Sequence, residues 1–226
     1  KIEKNLPDGL SLKVSFDRSV YVESAIFEIW KTLIIAFVLV TLIIFLFLGN
    51  IKSVIVPAVA LPVSLIGTFI GLWVFDLSIN IFVLLSFVLA IGIITDDSVI
   101  ISEEINRRIE EGETSLVAAW LGAKRVTAPI ISTTLVLVAS FTPLIFLSGI
   151  TGTLFRETAI ALSFAIVVSS FVALTLSPAL AANFLGKNMK KAKIALKFEK
   201  YYKSFLEFYV ETLDYWIKKP KVIIGF

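Results

Sequence analysis

The side chains most able to do chemistry here are Asp96 and Asp97. They stand side by side after a charge-free run over residues 77–95 and ahead of Ser98-Val99-Ile100-Ile101, with Glu103 the next charge. A carboxylate deep in an apolar helix costs about 2.5–3.5 kcal/mol on insertion scales, so a pair placed there needs a use. The use this setting favours is a relay for protons or cations. Two plainer readings compete with it: an ion pair with a basic residue on another helix, or a helix that stops early and leaves both acids in the membrane interface. Neighbouring helical positions point about 100° apart, which lets the two acids face different partners, and two adjacent acids titrate as one coupled unit.

Other chemistries are poorly supplied. The chain contains no histidine and no cysteine, so protonation falls to carboxylates, lysine, arginine or tyrosine, and there is no disulfide or thiolate metal site. No nucleophile–base pair, phosphate-binding glycine loop or metal-ligand cluster is visible, so the chain reads as a non-enzyme without cofactor or metal.

The elements that must position the acids are membrane helices. Of the 226 residues, 58% are hydrophobic and 17% charged, with a mean hydropathy of +0.93; soluble domains average roughly 45–50% apolar. Charges are absent from residues 32–51, 53–75, 77–95, 126–155 and 158–186, and about 20 apolar residues cross a bilayer. The chain therefore reads as an all-α polytopic membrane protein with a transmembrane bundle over 21–186. Its spans fall near 30–48, 53–75, 79–101, 127–148 and 157–185. A helix starting near Ile79 carries Asp96 roughly 25 Å along its axis, deep in the span. No Lys or Arg lies inside the five runs, so a counter-charge at that depth must come from outside them.

Basic residues set the orientation. Lys52, Arg107, Arg108, Lys124, Arg125 and ten lysines from Lys187 onward total 15 on one side, against Arg156 alone in the short turns of the other. The positive-inside rule puts the 15 in the cytoplasm. The net charge of +3 thus reflects topology and gives no ground for nucleic-acid binding.

Residues 1–20 read as the end of an extracytoplasmic domain. Leu10, Leu12, Val14 and Phe16 alternate with polar residues behind the turn Pro7-Asp8-Gly9, a short β-strand that needs partners from elsewhere. Val22, Ile26, Ile29, Trp30 and Leu33 then follow helical spacing into the first span. Residues 187–219 read as a cytoplasmic amphipathic helix, with Phe198, Tyr202, Phe205, Tyr209, Leu213 and Trp216 on one face; it lies in the membrane interface or packs on another soluble domain. Residues 220–226 look like the start of a further span, and the chain reads as a fragment. Gly67 and Gly71 form a Gly-x-x-x-Gly step, whose main use is close helix packing. Pro57, Pro62, Pro129, Pro143 and Pro178 mark kinks, helix ends or, as an alternative, broken helices at a substrate site.

The run Ala90-Ile91-Gly92-Ile93-Ile94-Thr95-Asp96-Asp97-Ser98, with Glu103 and Glu110-Glu111-Gly112 behind it, resembles the fourth transmembrane helix and following loop of resistance-nodulation-division (RND) efflux pumps of the hydrophobe/amphiphile exporter branch. Further segments match that family in order: Leu6-Pro7-Asp8-Gly9, Gly67-Thr68-Phe69, Ser78-Ile79-Asn80, Gly149-Ile150-Thr151-Gly152 with Arg156, and Leu176-Ser177-Pro178-Ala179-Leu180. The sequence departs from the family pattern at Ser102-Glu103-Glu104, where an apolar residue, Glu and Asn are usual.

The resemblance implies the second to sixth transmembrane helices of a proton-driven multidrug antiporter of the bacterial inner membrane. It implies a homotrimer working with a periplasmic adaptor and an outer-membrane channel, a periplasmic porter domain ahead of the first span, and hydrophobic or amphiphilic small molecules as cargo. Asp96 and Asp97 match the family's two relay aspartates, and Glu103 and Glu104 are possible accessory residues. The doubled Asp favours drug exporters over metal-ion exporters. The competing reading is a non-transporting bundle of the same superfamily, lipid-sensing or an assembly partner, which would gain nothing from two buried acids.

Overall fold

The computed structural model describes residues 18–77, 80–186 and 192–217. They form six helices: α1 (Arg18–Leu48), α2 (Ile51–Val74), α3 (Ile81–Glu110), α4 (Ser115–Ile145), α5 (Gly149–Phe184) and α6 (Lys193–Ile217). There is no strand among the described residues. The strand expected near residues 10–16, and the further span expected at 220–226, lie outside them. The segments Glu23–Leu48, Ile51–Val74, Ile81–Glu110, Ser115–Ile145 and Thr151–Phe184 are long and apolar enough to cross a membrane; the chain is a multi-pass membrane protein.

The helices outrun the charge-free runs, because charges near a helix end can pair along the helix instead of ending it. At the end of α3, Glu104 meets Arg107 at 2.9 Å and Arg108 at 3.0 Å, and Arg107 meets Glu111 at 2.5 Å. Polar caps fix the starts: Asn50 accepts from the Lys52 amide at 2.8 Å and Asn80 from the Val83 amide at 3.0 Å, each satisfying a first-turn donor.

Packing centres on α3 and α5, which divide the interior into two apolar clusters. One joins the first half of α3 (Val83, Phe87, Ile91, Ile94) to Leu33 of α1, Leu61 and Leu72 of α2 and Leu162 of α5. The other joins its second half (Ile101, Ile105, Ile109) to Val56 of α2, Val126 and Ile130 of α4, and Ala173 and Ala181 of α5. Close approach of α2 to α5 depends on glycine: a Cβ on Gly71 would stand 1.8 Å from Phe164 Cε1, and one on Gly67 2.7 Å from Val168 Cγ1.

Pro57 and Pro62 sit within α2, Pro129 and Pro143 within α4, and Pro178 within α5. Pro57 lacks the amide that would bond the Ser53 carbonyl, and Ser102 of α3 donates to that carbonyl at 3.1 Å instead. Ser53 is buried within the bundle, so a hydroxyl from a neighbouring helix takes the place of the missing donor.

Helix ends gather in two layers. On one, the Ala192 amide donates to Gly49 O at 2.8 Å and Ser115 Oγ to Leu185 O at 2.7 Å. On the other, Asn80 donates to Glu157, and Arg156 Nε to Ile145 O at 3.0 Å. Helix α6 rests on α1, with Phe47 edge-on to Phe198 and Tyr202 at 5.3 and 5.7 Å. Phe205, Tyr209 and Leu213, further along the same face, are exposed.

Candidate functional site

Asp96 lies near the middle of α3, 15 residues from Ile81 and 14 from Glu110, about 21–22 Å from either end, and Asp97 follows it. The position falls between the two apolar clusters, after Ile94 of one and before Ile101 of the other. The helix continues past the acids to Glu110, so neither carboxyl stands at a helix end.

The two acids differ in setting. Asp97 is half-buried and Asp96 exposed. Both line a cleft of about 490 Å³, whose walls are Ile93 and Ile100 of α3, Ser132, Thr133, Thr134, Val136 and Leu137 of α4, and Ile166 and Ser169 of α5. The carboxylates thus open on a mainly apolar space with four hydroxyl-bearing residues in its walls, large enough for several waters at the ~30 Å³ each occupies in the liquid. Asp96 continues an exposed line on α3 formed by Leu85, Leu89 and Gly92 above it and Ile100 and Glu103 below, positions three or four apart on one helix face.

Hydroxyls hold the seam together. Ser170 Oγ donates to Asp97 Oδ2 at 2.8 Å and also bonds Thr134 Oγ1 of α4. Ser169 Oγ donates to Ile94 O at 2.9 Å, and Ser177 Oγ to Ser98 Oγ at 3.3 Å. These contacts tie α3 to α5 above and below the acids with groups that both donate and accept. The α1, α2, α4 and α5 segments at this depth lie within charge-free runs, so no basic side chain from them faces either carboxyl.

The other sequence-designated residues lie apart. Glu104, with its side chain 13% exposed, takes Arg107, Arg108 and, across to α4, Arg125 at 3.5 Å; this arrangement clamps the last two turns of α3 to α4. Glu103 is exposed seven residues beyond Asp96. Gly67 and Gly71 lie against α5 and line no part of the cleft. Ser170 and Thr134, which sequence reasoning did not single out, are the residues that contact Asp97 from other helices, directly or through one hydroxyl. Serine and threonine are too common in membrane helices to stand out singly. The readable signal was the spacing of Thr95, Ser98 and Ser102 along α3, all on its buried face.

Comparison with known proteins accounts for the whole chain. Residues 1–226 match the AcrB/AcrD/AcrF family. An uncharacterized transporter of Haemophilus influenzae is 40% identical over 189 residues, covering 84% of this chain and 18% of that protein. Multidrug resistance protein MdtC of Pectobacterium atrosepticum is 39% identical over 193 residues (85% and 19%), and MdtC of Photorhabdus laumondii 36% over 209 (89% and 20%). The chain thus spans about a fifth of the length of these relatives. With five membrane-crossing helices and a family match from end to end, the chain belongs to the AcrB/AcrD/AcrF family of resistance-nodulation-division transporters.

Proposed function

We propose that this chain supplies the proton-relay part of a drug/proton antiporter of the bacterial inner membrane, with Asp96 and Asp97 as the groups that take up and release the proton. The observation that carries the reading is the placement of both acids at mid-helix on a mainly apolar cleft, where an unused carboxylate would be a standing cost of about 2.5–3.5 kcal/mol. The exposed line through Asp96 calls for cover by further protein, since an acid facing lipid is unfavourable. A cation from that covering element would give the relay its second state, in which a salt bridge replaces the bound proton.

Cargo is proposed by kinship: two relatives are named multidrug resistance proteins, which suits hydrophobic or amphiphilic small molecules. The homotrimer, the periplasmic adaptor and the outer-membrane channel belong to the same proposal, as does the cytoplasmic, interfacial placement of α6. Asp96→Asn and Asp97→Asn, each made in the complete protein, should abolish export of a fluorescent amphiphilic dye from cells while expression stays near native. Asn keeps an oxygen to accept from Ser170, so the helix contacts should survive the change. Export at the native rate by either variant would refute the relay.

A further inference from the structure

Three oxygen contacts run in series from Asp97 across two helices. Asp97 Oδ2 and Ser170 Oγ are 2.8 Å apart, Ser170 Oγ and Thr134 Oγ1 are bonded, and Thr134 Oγ1 lies 2.7 Å from Ile130 O. Each hydroxyl brings one proton and can also accept, whereas the carbonyl only accepts. When Asp97 is ionised, two protons serve three contacts and one contact goes unfilled. When Asp97 is protonated, three protons serve three contacts, all in one direction: Asp97 to Ser170, Ser170 to Thr134, Thr134 to the Ile130 carbonyl.

We propose that Ser170 and Thr134 read the proton occupancy of Asp97, as positioning residues that fasten α4 to α3 and α5 by one more hydrogen bond when the proton is bound than when it has left. The inference rests on the reading of Asp97 as a proton carrier. On deprotonation the Ser170 hydroxyl rotates to donate to the carboxylate and no longer donates to Thr134. Thr134 then turns its proton to Ser170 and gives up Ile130 O, or keeps Ile130 O and leaves its contact with Ser170 without a proton. No O–H bond of either hydroxyl breaks; the one proton that transfers comes to Asp97 from cleft water and returns there. The carbonyl is not stranded when Thr134 turns away, because Thr133 Oγ1 also donates to it at 2.9 Å.

The other titratable group beside Asp97 is Asp96, on the same helix. The segments of α1, α2, α4 and α5 packed at this depth carry no charged residue, and α4 and α5 present Ser132, Thr133, Thr134 and Ser169 to the cleft.

The test is Thr134→Val in the complete protein, with export measured across a series of external pH values. Counting bonds, the protonated state loses two and the ionised state one. The difference of one hydrogen bond weakens proton binding about two- to tenfold, so the midpoint of the pH profile should move down by ~0.3–1 unit. Thr134→Ser, which keeps the hydroxyl, should restore the native midpoint. If Thr134→Val does not assemble, Thr134→Ala removes the same hydroxyl with less bulk and is read in the same way. Asp97→Asn is run in parallel and should be inactive at every pH. A native midpoint in the Val or Ala variant, or a shift that Ser does not reverse, overturns this inference while the relay stands. Export by Asp97→Asn overturns the relay itself.

Discussion

One carbon added at Gly71 tests the packing that carries Ser170 to Asp97. A Cβ there would stand 1.8 Å from Phe164 Cε1 and 2.4 Å from Cδ1 and Cζ, against an ordinary carbon–carbon separation of about 3.5–4.0 Å. The ring must retreat by roughly 1.5 Å or more, and its edge contact with Phe75, centroids 5.6 Å apart, is lost with it. Overpacking of this kind costs about 1–3 kcal/mol, and replacing Gly by Ala within a helix returns at most about 1 kcal/mol. An approach as close as 1.8 Å puts the overpacking cost in the upper half of its range, about 2–3 kcal/mol, so Gly71→Ala should lower stability by a net ~1–2 kcal/mol or more. At Gly67 the same Cβ meets Val168 Cγ1 at 2.7 Å, a shallower overlap with one atom of a side chain whose χ1 is stiff in a helix. Gly67→Ala should accordingly cost less than Gly71→Ala, about 1 kcal/mol or under once the propensity gain is counted. The assay is unfolding of the purified complete protein in mixed micelles by a denaturing detergent, followed by circular dichroism. Phe164→Leu, added to Gly71→Ala, should recover part of the loss and show the coupling in a double-mutant cycle. A Gly71→Ala protein as stable as native, or one less damaged than Gly67→Ala, would refute the close-approach argument.

Two further outcomes are expected. Cysteines introduced into this cysteine-free chain at Gly112 and Gly149 should be labelled from opposite sides, Gly112 from the cytoplasm and Gly149 from outside; labelling of Gly149 from the cytoplasm would overturn the orientation drawn from the basic residues. Glu104→Gln removes the charge that gathers Arg107, Arg108 and Arg125, and should cost about 1–2 kcal/mol of stability while export per folded molecule is retained. Lost export at native stability would make Glu104 part of the relay instead of a clamp.

The spans were legible because charge-free length is a coarse, strong signal: every one of the five runs lies largely within a long helix. Helix ends were less legible. Arg107, Arg108 and Glu104 look like the margin of a span in sequence, yet they pair within the helix and prolong it to Glu110; α4 likewise begins at Ser115, well before its charge-free run. The acids themselves stood out by cost alone. Their partners did not, because a hydroxyl in an apolar run is cheap and frequent, and which carboxylate it meets depends on the angle and stagger of two helices. Ser170 and Thr134 lie 73 and 37 residues from Asp97 in sequence, and only the packing of α3, α4 and α5 brings them together.

Placing the acids between two apolar clusters has an energetic consequence. The halves of α3 are held by close-packed side chains that resist gradual displacement, whereas the seam between them is held by hydroxyl bonds. Interhelical bonds of that kind in a membrane average about 0.6 kcal/mol and reach about 1.7. Holding an Asp at mid-span costs about 2.5–3.5 kcal/mol on insertion scales, more than any single bond at the seam contributes. Under the proposed relay the charge state of Asp97 therefore outweighs each of the Ser170 and Thr134 bonds, which bias it without dictating it. A rearrangement confined to the seam leaves both apolar clusters packed as they are, so α3 can respond to a proton by a change of partners at Asp97 without opening a cavity in either half.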